Sequence, residues 1–319
     1  MLRIRVERLR PFTHRQRGRS GGSDPGLVMV VAMGTPEGIP TPLTEAGLTG
    51  LAALRAEPGR AVVALDFDGV LAPIVADPDS ARAHPGVVPA LRRLAPLLDA
   101  VVVVTGRPAG LAAEYGGFTG VPGLEHLTIL GHYGAERWDA QTGEVHAPAD
   151  HPGVAALRAE LPRALERAGA AEGTWIEDKG RALAVHTRRT ADPDGTLAAL
   201  DAPLRELAAR HGLAVEPGRM VLELRPPGVD KGAALTAFLE ERKAAAVLYI
   251  GDDLGDVAAY DAVEDLRAAG RPGVLGYSAP TTGEPPLAAL AERADLVVPG
   301  PPGVVALLEA LSAVLASRP

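Results

Sequence analysis

The chain has 319 residues, 47% of them hydrophobic and 23% charged, the proportions of a globular protein with room for two domains. A formal net charge of −8 excludes the broad basic face that nucleic-acid binding needs, so no nucleic-acid partner is expected. The lack of cysteine excludes disulfides, thiol nucleophiles and thiolate metal sites, and it fits a reducing, cytoplasmic location. Aromatic residues make up only 3%, so the cores must be built from Ala, Val and Leu. No apolar run reaches the length of a membrane span, and no membrane partner is expected.

Residues 1–43 differ from the rest. Seven arginines fall within the first twenty residues against the single acid Glu7, and Gly/Ser/Pro-rich sequence follows. This stretch is expected to be a disordered extension without chemistry, or to precede a later start at Met29 or Met33.

Order is predicted from Thr44. Thr44-Glu45 suits a helix start, Leu48, Leu51 and Leu54 share a face, and Pro58-Gly59 ends the helix. Val62 to Leu65 then form an unbroken apolar run, the mark of a strand covered on both faces in a parallel sheet. It stops at Asp66 and Asp68, two positions apart and so pointing the same way along an extended segment, followed by Gly69 at a turn. Two acids at the end of a buried strand are costly unless a metal ion or a proton transfer uses their charge. An Asp-rich turn that caps the next helix is the plainer alternative.

Residues 86–98 read as a helix, Val101 to Val104 as a second buried strand ending in Thr105-Gly106-Arg107, and Thr128 to Leu130 as a third, leading to Gly134-Ala135-Glu136. The pattern changes between 150 and 226. A helix (152–168), a hairpin pairing Trp175–Lys179 with Ala182–Arg188, a second helix (194–211) and an alternating strand (Arg219–Arg225) make an α+β unit with an antiparallel sheet. Parallel-sheet character resumes with a helix from Asp230 that carries Lys231. The strand Ala246–Ile250 then runs into Gly251-Asp252-Asp253-Leu254-Gly255-Asp256, and strands at Val274–Tyr277 and Leu296–Val298 and a helix over 302–316 complete the chain. The expected organisation is therefore an extension (1–43), a core (44–149 and 227–319) and a cap inserted at 150–226.

In open α/β sheets the site lies beyond the carboxyl ends of the strands, so Asp66/Asp68, Thr105, Lys231 and Asp252/Asp253/Asp256 can share one crevice. Carboxylates with a lysine and a hydroxyl suit Mg²⁺ and a phosphoryl group. Alternation turns Trp175, Glu177 and Lys179, then Ala184, His186 and Arg188, then Arg219, Val221, Glu223 and Arg225, to one side of the cap sheet. Such a face suits a hydroxyl-rich anionic ligand. A solvated face with cross-strand ion pairs is the competing reading. Trp175 reads as packing.

Asp66-Phe67-Asp68-Gly69, Thr105-Gly106-Arg107, Lys231-Gly232 and Gly251-Asp252-Asp253 resemble, in order, the four motifs of the haloacid dehalogenase-like phosphatases. Over residues 45–316 the chain resembles the trehalose-6-phosphate phosphatase family more closely. That rests on Leu65 to Ile74, Gly134-Ala135-Glu136, Glu177-Asp178-Lys179-Gly180, Val185-His186-Thr187-Arg188 and Val221 to Pro226. The resemblance implies an α/β fold, a parallel-sheet Rossmann-like core of the haloacid dehalogenase type with an inserted α+β cap domain. It implies a Mg²⁺-dependent phosphatase working on a small-molecule sugar phosphate, expected to be a monomer. It further implies Asp66 as nucleophile, Asp68 as acid and base, and Thr105 and Lys231 on the phosphoryl oxygens. The metal would be held by Asp66, the Asp68 carbonyl and Asp252, with Asp256 supporting a metal-bound water. Substrate contacts would come from Gly106, Arg107, Glu136, Glu177, Lys179, His186, Arg188 and Glu223. Another sugar or pseudo-disaccharide phosphate as substrate, and a catalytically inactive sugar-phosphate-binding regulatory module, are the alternatives. Two stretches depart from the resembled pattern: Gly255 and Val257 replace a Thr and a Glu around Asp256, and His132-Tyr133 replaces small or amide residues before Gly134.

Overall fold

The computed structural model describes residues 38–75, 77–218, 220–281 and 285–317. The expectation of a disordered extension falls, for residues 1–37, outside the described residues. Between Gly38 and Leu43, Ile39 and Pro42 are buried while Leu43 is exposed, so anchoring of the chain begins before the boundary expected at Thr44. Ile39 is buried in the core, and the Leu43 amide donates to the Asp295 carbonyl at 2.7 Å.

In chain order the elements are α1 (Glu45–Ala56), β1 (Ala61–Leu65), α2 (Val87–Leu94), β2 (Ala100–Val104), α3 (Ala109–Gly116), β3 (Leu127–Gly131), β4 (Glu136–Asp139) and β5 (Val145–His146). Then come α4 (Pro152–Arg167), β6 (Trp175–Asp178), β7 (Leu183–His186), α5 (Pro193–Arg210), β8 (Ala214–Gly218) and β9 (Val221–Arg225). The chain closes with α6 (Lys231–Glu241), β10 (Ala246–Gly251), α7 (Val257–Ala268), β11 (Gly273–Ala279), α8 (Ala288–Ala291), β12 (Leu296–Pro299) and α9 (Gly300–Ala316).

One sheet has the order β12-β11-β10-β1-β2-β3-β4-β5. It is parallel from β12 to β3, and β4 and β5 extend it antiparallel. Every residue of β1 is buried, because side chains of opposite parity feed opposite faces. Val63 and Leu65 pack with α1, α2, α3 and α9, while Val62 and Ala64 pack with α6 and α7. The unbroken apolar run at 62–65 reflects that double covering.

The face of α1 differs from the leucine stripe expected of it. Gly47, Gly50 and Leu54 are buried, whereas Leu48 is exposed. The helix lies so close to the sheet that a Cβ at Gly50 would stand 2.2 Å from the Gly273 carbonyl oxygen, so only glycine permits the contact.

Between β5 and α6 the chain builds a separate antiparallel sheet, β6-β7-β9-β8, with α4 and α5 on one face. Leu183, Val185, Leu222 and Leu224 point to those helices and form a core of their own. The strand expected from Arg219 instead starts at Val221. Met220 is left-handed (φ 56) in the turn joining β8 to β9, and Arg219 lies outside the described residues. β8 has no alternating apolar signal, since it carries Glu216 and Pro217 at a sheet edge where proline is tolerated. Leu224→Ala removes a wholly buried side chain from this second core. It should cost about 2–5 kcal/mol in urea denaturation, and a loss within measurement error would show that the second core does not support its sheet.

Candidate active site

The carboxyl ends of β1, β2 and β10 and the start of α6 meet beside one another, as their places in the sheet require. Asp66 follows β1, is almost fully buried, and its amide continues the β10 ladder by donating to the Ile250 carbonyl at 2.9 Å. Lys231 is the first residue of α6, whose N-cap Asp230 accepts from the Ala233 amide at 2.8 Å. From there the Lys231 ammonium reaches Asp66 Oδ2 and Asp256 Oδ1, each at 2.8 Å.

Asp256 is completely buried and fully engaged. Its Oδ1 accepts from Lys231 and from the Tyr249 hydroxyl (2.5 Å), and its Oδ2 from the Asp252 and Asp253 amides (2.8 and 3.1 Å). Asp253 in turn accepts from the Gly255 amide and completes a capping box with Asp256. The turn that lacks the resembled Thr and Glu is thus closed by its own aspartates, with Tyr249 as an added donor.

Carboxylate oxygens of Asp66, Asp252, Asp253 and Asp256 lie within 4.8 Å of one another. Burial pushes the Asp66 and Asp252 carboxyls well above the ordinary carboxylate range, Lys231 opposing and neighbouring acids reinforcing. Asp253 is raised for the same reason. Burial alone would lower the Lys231 ammonium, but Asp256 and Asp66 outweigh it and hold it well above its usual value. Asp252 Oδ1 is buried and has no hydrogen-bond partner. A Cβ at Gly69 (φ +74) would stand 2.0 Å from Asp252 Oδ2, so the loop after Asp68 leaves room for that carboxylate only as glycine. A crowded set of hard oxygen donors, one of them unsatisfied, fits a small divalent cation.

Asp68 has a different environment. Its side chain is about one-third exposed, and Arg107 clasps it through two bonds, Nε to Oδ2 at 2.7 Å and Nη2 to Oδ1 at 2.8 Å. Thr105, buried at the end of β2, accepts the Arg107 amide on its hydroxyl at 3.1 Å. The two acids of the motif share the end of β1 while their carboxylates engage different cations.

The antiparallel sheet presents its other face to these groups. Register places Ala184 between Glu177 and Glu223, leaving a gap between two carboxylates. Glu223 Oε2 accepts from Lys179 Nζ (2.6 Å) and from the Tyr133 hydroxyl (3.2 Å), while its buried Oε1 has no partner. Burial works against the Lys179 charge, but Glu223 dominates and raises its pKa. Glu177 bonds His186 Nε2 at 2.8 Å; this bond and Lys179 outweigh burial and lower its carboxyl pKa. Trp175 is covered by His186 (ring centroids 4.4 Å apart) and by the Arg189 guanidinium (4.2 Å), which bears out the packing reading. At the hairpin tip Arg181 pairs with Glu136 at 3.2 Å, and Glu136 also accepts the Ala109 amide at the start of α3 (2.9 Å).

Arg188 is a correction. β7 ends at His186, so the alternation that put Arg188 beside it stops there, and Arg188 is exposed in the following turn. Asp253 lies in the cluster, as its place in the expected crevice implied, though no role had been given to it, and Tyr133 and Arg181 join the site without having been assigned to it. Tyr133 was visible only as a departure from the resembled pattern, and Arg181 only as a hairpin turn residue.

Comparison with known proteins gives a consistent picture. A sequence model of the trehalose-phosphatase family matches residues 64–288. The chain is 33% identical over 240 residues to a trehalose-phosphate phosphatase of Mycobacterium marinum, covering 73% of this chain; the match spans only about half (54%) of that relative. The fold is similar to the C-terminal domain of a Candida albicans trehalose-6-phosphate phosphatase, with a TM-score of 0.63 and 22% identity, covering 85% of this chain and 98% of that one. It is also similar to the C-terminal domain of a Candida albicans trehalose synthase regulatory protein, with a TM-score of 0.59 and 14% identity, covering 84% and 99%.

The raised acids predict a pH-dependent response to Mg²⁺. A carboxyl whose folded pKa is raised stabilises the fold at low pH, and that contribution is lost as pH rises through the folded value. A cation that requires ionised ligands gains the most where those protons have left. The Mg²⁺-induced rise in Tm should therefore be several degrees larger near about pH 8 than near about pH 5. Equal rises at both pH values would contradict the assignment of these carboxylates as ligands.

Proposed function

This chain belongs to the trehalose-phosphatase family, and we propose that it is a Mg²⁺-dependent phosphatase that hydrolyses trehalose 6-phosphate to trehalose and phosphate. The observation that carries this reading is the separation of the two motif acids. Asp66 is buried beside Lys231 and the acidic cluster, and Asp68 is partly exposed beside Arg107. A site that only bound a sugar phosphate would need neither a buried nucleophile nor a second acid.

Asp66 attacks phosphorus, the bond to the sugar oxygen breaks, and Asp68, which takes up a proton when one of its oxygens leaves the Arg107 guanidinium, passes that proton to the sugar oxygen. Asp68, now a carboxylate, takes a proton from a water that attacks the aspartyl phosphate, which restores Asp66 and releases phosphate. Lys231, held by Asp256, and Thr105 stabilise charge on the phosphoryl oxygens. Asp66, Asp252 and the Asp68 carbonyl would hold Mg²⁺, with Asp256 fixing the loop that carries Asp252. When bound, the ion neutralises phosphoryl charge and favours in-line attack.

The inserted unit acts as a cap that excludes water and selects the sugar through Glu177, Lys179 and Glu223, with Glu136 and Gly106-Arg107 at its border. The Glu136–Arg181 pair and the Tyr133–Glu223 bond, which join the two sheets, support that role. Solved relatives include a regulatory protein of the same fold, so fold alone does not separate enzyme from binder. The acid set does. Among the described residues no helix is long and apolar enough to cross a membrane, and the cysteine-free chain suits a cytoplasmic enzyme.

The direct test is phosphate release with Mg²⁺, comparing trehalose 6-phosphate with glucose 6-phosphate, sucrose 6-phosphate and p-nitrophenyl phosphate. Strong preference for trehalose 6-phosphate, abolished by EDTA, is expected. Turnover of the aryl phosphate alone would overturn the sugar assignment, and turnover of none would overturn the enzyme. Asp66→Asn should remove turnover, and Asp68→Asn should slow it by roughly 10²–10⁴-fold. A variant of either that keeps wild-type kcat would end this mechanism. Glu177→Ala and Lys179→Ala should raise KM for the sugar phosphate, and if neither KM nor substrate preference changed, the cap assignment would fail.

A further inference from the structure

The His132-Tyr133 departure builds a contact to which the functional reading gives no part in choosing the substrate. Both residues are left-handed, with φ of 47° and 59°, an unfavourable conformation for large side chains that persists only where surroundings enforce it. Two backbone bonds enforce it here, from the His132 amide to the Arg107 carbonyl and from the Tyr133 amide to the Thr105 carbonyl, both 2.9 Å. They tie the dipeptide to the loop after β2.

The tie sends the Tyr133 side chain from the core sheet to the cap sheet. Its hydroxyl donates to Glu223 Oε2 at 3.2 Å, and its ring carries the Arg225 guanidinium 4.1 Å from its centroid. A Cβ at Gly106 would stand 2.7 Å from the Tyr133 hydroxyl oxygen, so the phosphate-side loop is shaped to let the phenol pass. Arg225 Nη2 pairs with Glu216 at 2.9 Å. Glu223 and Arg225 are each more than nine-tenths buried, and each keeps one buried polar atom without a partner, Glu223 Oε1 and Arg225 Nη1. Such atoms are costly to bury unless a ligand completes them.

We propose that Tyr133 is a positioning residue for substrate selection. It fixes Glu223 and Arg225 against the core so that an acceptor, Glu223 Oε1, and a donor, Arg225 Nη1, meet neighbouring hydroxyls of the leaving sugar. Glu223 Oε1 accepts from one hydroxyl, and Arg225 Nη1 donates to the oxygen of the next. The proposal rests on the sugar-phosphatase reading for the identity of the ligand, but the latch between the two sheets exists without it. It also lets the core side orient the cap's sugar contacts, through a residue that the resembled pattern does not have.

The test is Tyr133→Phe, which keeps the ring and its packing and removes the hydroxyl. The ratio of kcat/KM for trehalose 6-phosphate to that for p-nitrophenyl phosphate should fall about tenfold, through KM, the scale of one hydrogen bond to a charged group. A ratio within about twofold of wild type would overturn the proposal, as would an equal fall for both substrates, which marks a merely structural role. Hydrogen exchange on the free protein supplies the arm that needs no substrate. Amides of residues 221–225 should exchange faster in the variant, and unchanged exchange there would overturn the latch. If wild-type protein failed to turn over trehalose 6-phosphate, the functional reading would fall and the exchange result would still decide the latch.

Discussion

The arrangement depends on one buried ammonium. Lys231 bridges Asp66 and Asp256 at 2.8 Å each, within a cluster of four carboxylates. Burying several anions together is prohibitive without compensation, and breaking a buried pair on one side leaves an uncompensated charge. The fold supplies part of that compensation with Lys231 and with the donors around Asp256, namely the Tyr249 hydroxyl and two backbone amides. The remainder is left open at Asp252, whose Oδ1 has no partner. A divalent cation would balance that deficit, because a carboxylate oxygen without a donor is completed by positive charge.

The rest of the core follows from having to aim these groups at one point. Only neighbouring parallel strands bring their carboxyl ends to the same edge, and β1, β2 and β10 are adjacent. Helices on both faces bury those strands, so the loops at that edge are anchored on rigid elements. The second sheet is held differently. It has an apolar core of its own, and its bonds to the first sheet described above are polar: Glu136 with Arg181, and Tyr133 with Glu223. Polar contacts of this kind can be exchanged for water at small net cost, whereas the apolar core within each unit cannot.

Much of this was legible in the sequence, for physical reasons. The apolar run at 62–65 exposes no polar side chain because both faces are covered, so it reads as a parallel strand and places Asp66 at its end. The alternation at 175–186 reads as a hairpin with one polar face, and the register sets Glu177 and Glu223 on either side of Ala184 as that alternation implies. Failures came where tertiary geometry overrides local pattern. The α1 helix buries Gly47 and Gly50 beside Leu54 and leaves Leu48 exposed, because it sits against the sheet backbone. β8 carries Glu216 and Pro217 and reads as a loop until β9 pairs with it. Arg188 was assigned by extending an alternation past the last residue of its strand. Tyr133 has no periodic signal, because a left-handed backbone decides its direction. In Asp256 the residue was legible, but the four donors on its carboxylate come from distant positions and a turn, and only the folded chain brings them together.

The central claim is that Asp66 carries the phosphoryl group in the course of turnover. Rapid acid quench of the Mg²⁺-loaded enzyme during hydrolysis of trehalose 6-phosphate, followed by peptide mass analysis, tests it most directly. The account predicts one added phosphoryl group on the peptide containing Asp66, present only while substrate is being consumed. Steady phosphate release with that peptide unmodified at every quench time, or with the phosphoryl group on another residue, would contradict it.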